Sequence, residues 1–230
     1  MTAYAADPYG RALADGSSQL WMIDQAGRRS PLPVGRWRAR PDPVDQMVIR
    51  ACDGPTLDVG CGPGRIAAGL TARGVAALGV DVHPQAVRHA SDRGAAALCR
   101  SVFDRLPGEG RWHTVILLDG NIGIGGDPIA LLARCRTLIH RGGRIIVEAD
   151  PRDIDDSSPV YLQAGRDVSA RFPWARSGTS AIRRAAGAIG LVVECEIRVH
   201  GRVVLHLRVD DDEPTMLRAA EARTPQRVRR

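Results

Sequence analysis

Apolar and polar residues form a pattern along this chain whose period changes repeatedly after Pro55. Short apolar runs of strand length alternate with stretches in which apolar residues recur every three or four positions. This alternation indicates repeated strand–helix–strand units and therefore a parallel sheet. Helices are predicted over 65–73, 84–93 and 128–140, and strands over 56–60, 75–82, 95–102, 113–119 and 144–150.

The pattern differs on both sides of these units. After residue 150, a helix over 180–189 precedes two β-rich runs, 191–199 and 202–209, which we predict to pair as an antiparallel hairpin. Before the units, 20–23 and 29–34 predict a small hairpin, and 43–52 predicts a leading helix. The expected fold is α/β, with a mostly parallel seven-stranded sheet, helices on both faces and an antiparallel C-terminal hairpin. The expected segments are an N-terminal lid with its leading helix (1–54), the main domain (55–210) and a tail (211–230).

The composition is that of an ordinary globular protein. Hydrophobic residues make up 44% and charged residues 25% of 230 residues, which suits one α/β domain. No apolar run is long enough to span a bilayer, and the N-terminus lacks the basic-then-apolar order of a signal peptide, so we expect no membrane partner and a cytoplasmic location. The five cysteines are scattered without metal-binding spacing, so free thiols and no metal site are expected.

The charge of the chain points only weakly to nucleic acid. The net charge is +6, but all 32 basic residues are arginine and the basic runs are at most two residues long. A dense basic stripe is therefore missing, and nucleic acid is an unlikely partner. The lack of lysine also excludes a lysine base or Schiff base.

A glycine-rich turn follows the first predicted strand and opens a helix. Within Thr56-Leu-Asp-Val-Gly-Cys-Gly-Pro-Gly-Arg65, Gly60 permits a tight turn, Gly62 lets a ligand approach the backbone, and Gly64 allows the helix to pack closely. The alternative is a tight turn that binds nothing. In this strand–turn–helix context, a ligand against bare main chain is favoured.

A carboxylate ends the second strand. Asp81 comes 17 residues after Gly64, where it can accept two hydrogen bonds from a ribose diol, although capping of the next helix is a rival role. A dinucleotide enzyme usually carries its third glycine one residue later, and Asp58 would disfavour a pyrophosphate beside this loop. The same carboxylate favours a ligand with an ammonium group.

These motifs resemble those of class I, Rossmann-like methyltransferases, in which an acidic residue precedes G-x-G-x-G and the second strand ends in a ribose-binding acid. The resemblance covers most of residues 55–150 and implies S-adenosylmethionine as cofactor. It also implies that adenine is contacted after the third strand, where Ser101 replaces a common aspartate and Asp104 or main-chain groups are alternatives. The implied cofactor-binding residues are Asp58, Gly60, Cys61, Gly62, Gly64, Arg65, Asp81, Val82, Ser101, Val102, Phe103 and Leu118.

The loop 119–128 after the fourth strand is the candidate for catalysis. It lies at the carboxyl edge, where open α/β sheets bind ligands. We expect its glycines to let it fold over the sulfonium, with Asp119 or Asn121 facing the acceptor as catalytic residues, and Asp127 to cap the next helix. The alternative is that Asp119 and Asn121 only shape the turn.

Other polar and aromatic groups are weaker candidates. Glu148 and Asp150 end the fifth strand at the same edge and either bind a polar acceptor or cap a turn. Two segments, 35–38 and 171–176, mix arginine with tryptophan and either line a ligand pocket or pack at the surface.

The leading functional hypothesis is a methyltransferase with a small-molecule acceptor. A nucleic-acid methyltransferase is the second enzyme hypothesis, but Asp119-Gly-Asn-Ile122 differs from the Asn/Asp-Pro-Pro-aromatic signature of enzymes that methylate base amino groups. A non-catalytic cofactor-binding partner subunit is the third. The sequence fixes neither the acceptor nor the oligomeric state.

Overall fold

The structure, a computed structural model, describes residues 7–16 and 19–210. Its central sheet has seven strands in the order β11-β12-β7-β6-β3-β4-β5. β3 to β7 pair in parallel, whereas β12 pairs antiparallel with β7 and β11 antiparallel with β12. The predicted fold class is therefore confirmed. The strands are β3 (Thr56–Val59), β4 (Ala77–Asp81), β5 (Ala97–Cys99), β6 (Trp112–Leu117), β7 (Ile139–Ala149), β11 (Leu191–Val199) and β12 (Arg202–Val209).

The fifth predicted strand begins earlier than its sequence pattern indicated. β7 starts at Ile139, five residues before the expected start, because Ile139 pairs with Trp112 ahead of a register shift. The helix expected to reach residue 140 accordingly ends at Leu138. The glycine pair at 142–143 interrupts the apolar run and conceals the start of the strand.

Helices cover both faces of the central sheet and create two apolar cores. One core includes Leu57, Val115 and Leu132, and the other includes Ile49, Leu70 and Ile116. No helix in the described part of the chain is both long and apolar enough to cross a membrane. The helices are α1 (Pro8–Asp15), α2 (Val34–Arg38), α3 (Pro43–Ala51), α4 (Arg65–Ala72), α5 (Pro84–Asp92), α6 (Pro128–Leu138) and α7 (Thr179–Gly187).

A second sheet, which was not predicted, stands over the carboxyl edge of the first. Its strands are ordered β10-β8-β1-β2, with β9 beside β8. The expected N-terminal hairpin forms its β1–β2 pair, but β1 also pairs with β8, which follows the last parallel strand, β7, in the chain. The strands are β1 (Leu20–Ile23), β2 (Arg29–Leu32), β8 (Asp155–Ala164), β9 (Asp167–Val168) and β10 (Phe172–Ser177).

The second sheet shows that the N-terminal segment packs with residues well beyond it. Leu20 and Ala164 share a small core with Ala12, Leu13 and Ala86, which joins α1 to α5. The division into 1–54 and 55–210 stays a prediction, qualified by this pairing across its boundary. The predicted tail, 211–230, lies outside the described residues.

Candidate active site

A cavity of about 720 Å3 lies between the carboxyl edge of the central sheet and the inner face of the second sheet. All of the site residues predicted from the sequence line it, with the exception of Gly64. Three strand ends of the central sheet contribute Asp58, Asp81 and Leu118, so residues distant in sequence meet at one edge as expected for an α/β sheet.

The three glycines of the β3–α4 turn have different neighbours. Each has a positive φ, 68° at Gly60, 52° at Gly62 and 78° at Gly64, a conformation that other residues rarely adopt. A Cβ on Gly64 would lie 2.6 Å from the Cβ of Ala90, so this glycine allows α4 to pack on α5. A Cβ on Gly62 would meet only the hydroxyl of Tyr9, at 3.4 Å, so Gly62 presents bare main chain to the cavity.

Asp58 is a buried carboxylate with an unused oxygen. Its exposed fraction is 3%, and its Oδ2 atom has no hydrogen-bond partner. Burial raises the pKa of Asp58 to about 7, and the nearby charge of Asp119 adds to the effect. A buried carboxylate oxygen without a donor is costly, so this position favours a ligand that brings a cationic donor to the cavity.

Asp81 holds the glycine turn as well as facing the cavity. Its Oδ2 accepts a hydrogen bond from the backbone N–H of Gly62 at 2.9 Å, and its Oδ1 accepts one from the N–H of His83 at 2.8 Å. Burial raises the pKa of Asp81, although these backbone bonds lower it in part. Each oxygen retains a further lone pair for a ligand hydroxyl.

Two apolar side chains stand exposed where the predicted adenine site lies. Val82 is 68% exposed and Phe103 is 46% exposed, and both line the cavity. The Ser101 hydroxyl accepts a bond from the N–H of Phe103, and the carbonyl of Val102 already accepts one from Arg134. A flat ligand between Val82 and Phe103 would remove apolar surface from water.

Asp119 is fixed from three directions. Its Oδ1 contacts the Nη2 of Arg36, and its Oδ2 contacts the Nη2 of Arg65 at 2.5 Å. Its backbone N–H donates to the Oε2 of Glu148 at 2.7 Å, and its φ of 57° places a non-glycine residue in the left-handed region. Both carboxylate oxygens therefore serve in ion pairs, and Asp119 is not a free base in this arrangement.

The ion pairs of Asp119 belong to a larger buried network. Arg202, on β12, forms a two-pronged pair with Glu148 at 2.7 and 2.8 Å and also contacts Asp42 and Asp45 on the α3 side. Asp45, which completes the capping box of α3, also pairs with Arg65. Of the two roles considered for Glu148, the structure favours capping of a turn, because one of its oxygens accepts the backbone N–H of Asp119 in the turn after β6, and both pair with Arg202.

Asn121 and the loop glycines have structural partners of their own. The side-chain amide of Asn121 donates to the carbonyls of Val59 and Gly60, both at 2.9 Å. A Cβ on Gly123 would lie 2.1 Å from the carbonyl oxygen of Ala175, and one on Gly126 would lie 2.8 Å from the Cβ of Pro173. Gly123 and Gly126 thus let β10 dock directly on the loop, and the expectation that the loop folds over the sulfonium stays a prediction.

Two predictions about polar groups near the loop have clear outcomes. The carboxylate of Asp127 accepts bonds from the N–H groups of Ile129 and Ala130, so its capping of α6 is confirmed. Asp150 pairs with Arg152 and Arg176 and does not line the cavity, so it serves the second sheet.

The aromatic side chains of the two arginine–tryptophan segments line the cavity. Trp37 comes from α2, and Phe172 and Trp174 come from β10. The pocket-lining alternative for these segments is therefore the observed one. Tyr9, on α1, was missed: it lies against His83 at a centroid distance of 4.9 Å and against Trp37 at 6.1 Å. The segment around Tyr9 has too few apolar residues to show the three- and four-residue spacing that predicts a helix.

Comparison with known proteins agrees with this geometry. Residues 56–143 match the family model described as a methyltransferase domain. The chain resembles a SAM-dependent methyltransferase from Bacteroides fragilis, solved with S-adenosyl-L-homocysteine, at a TM-score of 0.77 and 21% identity, covering 89% of this chain and 95% of that one. No curated protein matches the sequence of this chain.

Two further solved structures are similar over a smaller share of the chain. A 1,6-didemethyltoxoflavin N1-methyltransferase from Burkholderia thailandensis gives a TM-score of 0.55 at 18% identity, covering 74% of this chain and 78% of that one. A sugar N-methyltransferase from a Streptoalloteichus species gives 0.54 at 18% identity, covering 76% and 88%. At these identities the likeness establishes the fold.

Proposed function

We propose that this chain is a class I, S-adenosylmethionine-dependent methyltransferase, whose cavity binds S-adenosylmethionine against the glycine turn and a small-molecule acceptor beneath the second sheet. Methyl transfer between them is the proposed reaction. The match of residues 56–143 to the methyltransferase-domain model supports this proposal, as does the fold shared with a solved SAM-dependent methyltransferase. The observation that carries this proposal is the convergence of Asp58, Gly62 and Asp81 on a single cavity.

The residues present fit the cofactor at three points. Asp58, with its unpartnered oxygen, suits the ammonium of the methionine part. Asp81 suits the ribose diol, since each of its oxygens has a lone pair left after its backbone bond. Val82 and Phe103 offer exposed apolar surface to adenine. Gly62 has no side chain, so it leaves the main chain of the turn open to the ligand.

The chain's own residues provide orientation. When bound, S-adenosylmethionine supplies an electrophilic methyl carbon on a sulfonium. Asn121 fixes the carbonyls at the end of β3, and Asp81 pins the N–H of Gly62, so the binding surface is held in shape before the ligand arrives. Alignment of two reactants in this way removes much of the entropic barrier of a bimolecular step. The hydroxyl of Tyr9 lies near Gly62 on the cavity side of the turn.

For Asp119 the geometry supports a positioning role. Arg36 and Arg65 engage both of its oxygens, so proton abstraction would require breaking an ion pair. The catalytic roles predicted for Asp119 and Asn121 stay predictions, and the alternative is that both residues only shape the wall between cofactor and acceptor. If Asp119 only shapes this wall, Asp119→Ala should weaken S-adenosylhomocysteine binding and lower stability together, whereas a transition-state role would lower turnover alone.

A small-molecule acceptor is favoured over nucleic acid. The acceptor end of the cavity is enclosed by apolar side chains of the second sheet, including Met22, Leu162 and Trp174, and an extended polyanion would meet no basic stripe there. The similar structures include enzymes whose acceptors are a toxoflavin precursor and a sugar, which supports a small acceptor.

Calorimetry with S-adenosylmethionine, S-adenosylhomocysteine and NAD tests the cofactor assignment. We expect micromolar binding of the first two and none of NAD, because Asp58 disfavours a pyrophosphate beside the turn. Tighter binding of NAD would overturn the proposal. Release of S-adenosylhomocysteine over a panel of small molecules and RNA then separates the alternatives: turnover only on RNA supports a nucleic-acid enzyme, and binding without any turnover supports a non-catalytic partner subunit.

A further inference from the structure

The second sheet presents an apolar wall to the acceptor end of the cavity, and beyond this wall the same face continues with polar and charged side chains such as Ser30, Asp24 and Arg28. Met22 on β1 and Leu162 on β8 are register partners, and both line the cavity, whereas their chain neighbours Trp21 and Tyr161 do not. This alternation is the normal two-residue period of a strand with one face toward a pocket. The wall is therefore an ordered surface built by the sheet.

Tryptophan side chains bound this wall on both sides. Trp174 lies on β10, at one edge of the sheet, and Trp37 lies on α2, which follows β2 at the other edge. The three strand spacings between β10 and β2 correspond to roughly 14 Å. That width accommodates a fused aromatic ring system lying along the wall.

Trp174 is held in place by its neighbours. Its indole packs on the bare Cα of Gly123, where a Cβ would lie 2.7 Å from the indole nitrogen, and its ring lies edge-on to Phe172 at 6.1 Å. A ring fixed in this way offers a flat apolar surface at little conformational cost.

Several polar side chains on this part of the cavity lining already have protein partners, whereas the buried indole N–H of Trp37 has none. Asp119 is neutralised by two arginines, and the amide of Asn121 binds the carbonyls of Val59 and Gly60. The hydroxyl of Ser169 accepts from the N–H of Leu162 and donates to the carbonyl of Ala170. A charged acceptor would lose its hydration here without gaining an opposite charge.

We propose that the acceptor is an uncharged molecule with a flat aromatic ring system, and that Trp37 and Trp174 determine this specificity. This inference rests on the proposed function and names the substrate class for the same cavity. It assigns recognition to shape and stacking on the second sheet.

The same surroundings restrict which kind of atom in the acceptor can be the nucleophile. Burial, together with the nearby carboxylates of Asp81 and Asp119, raises the pKa of Tyr9 well above its ordinary value, so Tyr9 stays protonated at neutral pH. Because Asp119 is ion-paired, the acceptor must bring an available lone pair, as a neutral amine or ring nitrogen does. Its lone pair bonds to the methyl carbon, the carbon–sulfur bond breaks with its electrons on sulfur, and any proton left on nitrogen passes to water.

Binding measurements on protein saturated with S-adenosylhomocysteine test the proposal. The probes are 3-aminoquinoline, which is a neutral fused ring, quinoline-3-carboxylate, which adds a charge to the same ring, and glucosamine, measured at a pH where its amine is neutral, which lacks the aromatic ring. We expect 3-aminoquinoline to bind at least about tenfold more tightly than the carboxylate, with no measurable binding of glucosamine. Trp37→Leu and Trp174→Leu should each weaken 3-aminoquinoline about three- to tenfold, and Trp174→Phe should restore most of the loss.

Trp21→Leu provides the matched control. Trp21 lies on the same sheet but on its outer face, where Arg29 stacks on it at 4.7 Å, and it should leave probe binding unchanged. Tighter binding of the carboxylate or glucosamine, absence of 3-aminoquinoline binding, or equal losses in Trp21→Leu and Trp174→Leu would each overturn the proposal. S-adenosylhomocysteine binding to the wild type is measured first, so failure of the cofactor assignment is recognised separately.

Discussion

Replacing Asp81 with alanine should weaken cofactor binding and leave the protein folded. The carboxylate accepts backbone bonds from Gly62 at 2.9 Å and His83 at 2.8 Å, and we assign it the ribose hydroxyls as well. Hydrogen bonds to a charged group contribute about 1.5 to 3 kcal/mol. Loss of the ribose contacts should therefore raise the Kd for S-adenosylhomocysteine about 10- to 150-fold.

The structural part of the effect has a separate size. Without Asp81, the N–H groups of Gly62 and His83 lose their partner, but they border the cavity, where water can reach them. We therefore expect the free energy of unfolding to fall by only about 1 to 3 kcal/mol. Without the bond to Asp81, Gly62 is no longer held against the ligand, so we expect the rise in Kd to lie near the upper end of the range given above.

Titration calorimetry and urea unfolding of the same preparations separate the two parts. Asp24→Ala is a matched control, because Asp24 also accepts two backbone N–H bonds, from Ala26 and Arg28, in a turn that does not border the cavity. This control should bind S-adenosylhomocysteine like the wild type. Wild-type affinity in a natively folded Asp81→Ala protein, or an equal loss of affinity in Asp24→Ala, would refute the assignment of Asp81.

Three further changes test other parts of the site. Burial raises the pKa of Asp58 above its value in the unfolded chain, so the contribution of Asp58 to stability becomes less favourable as the pH rises from about 4 to about 7. Asp58→Asn should therefore have a higher Tm than the wild type near pH 8. The same variant should bind S-adenosylhomocysteine more weakly. In Glu148, burial acts to raise the pKa, but the pairing with Arg202 lowers it overall, so its contribution is present above about pH 4.5 and is lost as pH falls further. Glu148→Gln should thus cost about 3 to 5 kcal/mol near neutral pH and show a smaller acid dependence in urea unfolding; equal acid dependence in both proteins would contradict this. Gly123→Ala, which forces a Cβ against β10, should cost about 1 to 3 kcal/mol, while Gly187→Ala, which has open space around it in α7, should stabilise by about 0.5 to 1 kcal/mol.

The features predicted from sequence are those encoded by adjacent residues. The strand–turn–helix around Gly60, Gly62 and Gly64 is a local pattern, and the periodicity of the parallel units identifies the central sheet without knowledge of distant contacts. Asp81 could be found because a strand end at a known spacing is also a local signal. Thirteen of the fourteen predicted site residues line the cavity, with Gly64 the one that does not, because each of the thirteen belongs to such a strand end or turn.

The features that escaped prediction depend on pairs far apart in the chain. Arg202 meets Asp42 at a separation of 160 residues, and Arg36 meets Asp119 at a separation of 83. Nothing near either arginine marks it as a partner of a buried acid. β8 was missed for another reason: its first residues, from Asp155 to Pro159, lack the apolar alternation of a typical strand, and only the later half is buried.

The glycines of the loop after β6 have close neighbours that the local sequence pattern could not identify. The sequence led us to expect that they let the loop fold over the sulfonium, which stays a prediction. The groups that closely approach Gly123 and Gly126 in the structure are Ala175 and Pro173 of β10. The same contact brings Trp174 to the cavity, so the loop acts on the acceptor through the second sheet. Arg36, on α2, forms an ion pair with Asp119. Two parts of the chain that flank the segment matching the methyltransferase-domain model therefore complete the cavity. Under the proposed function, substitutions in β10 and α2 should change acceptor preference while the glycine turn and Asp81 keep the cofactor site unchanged.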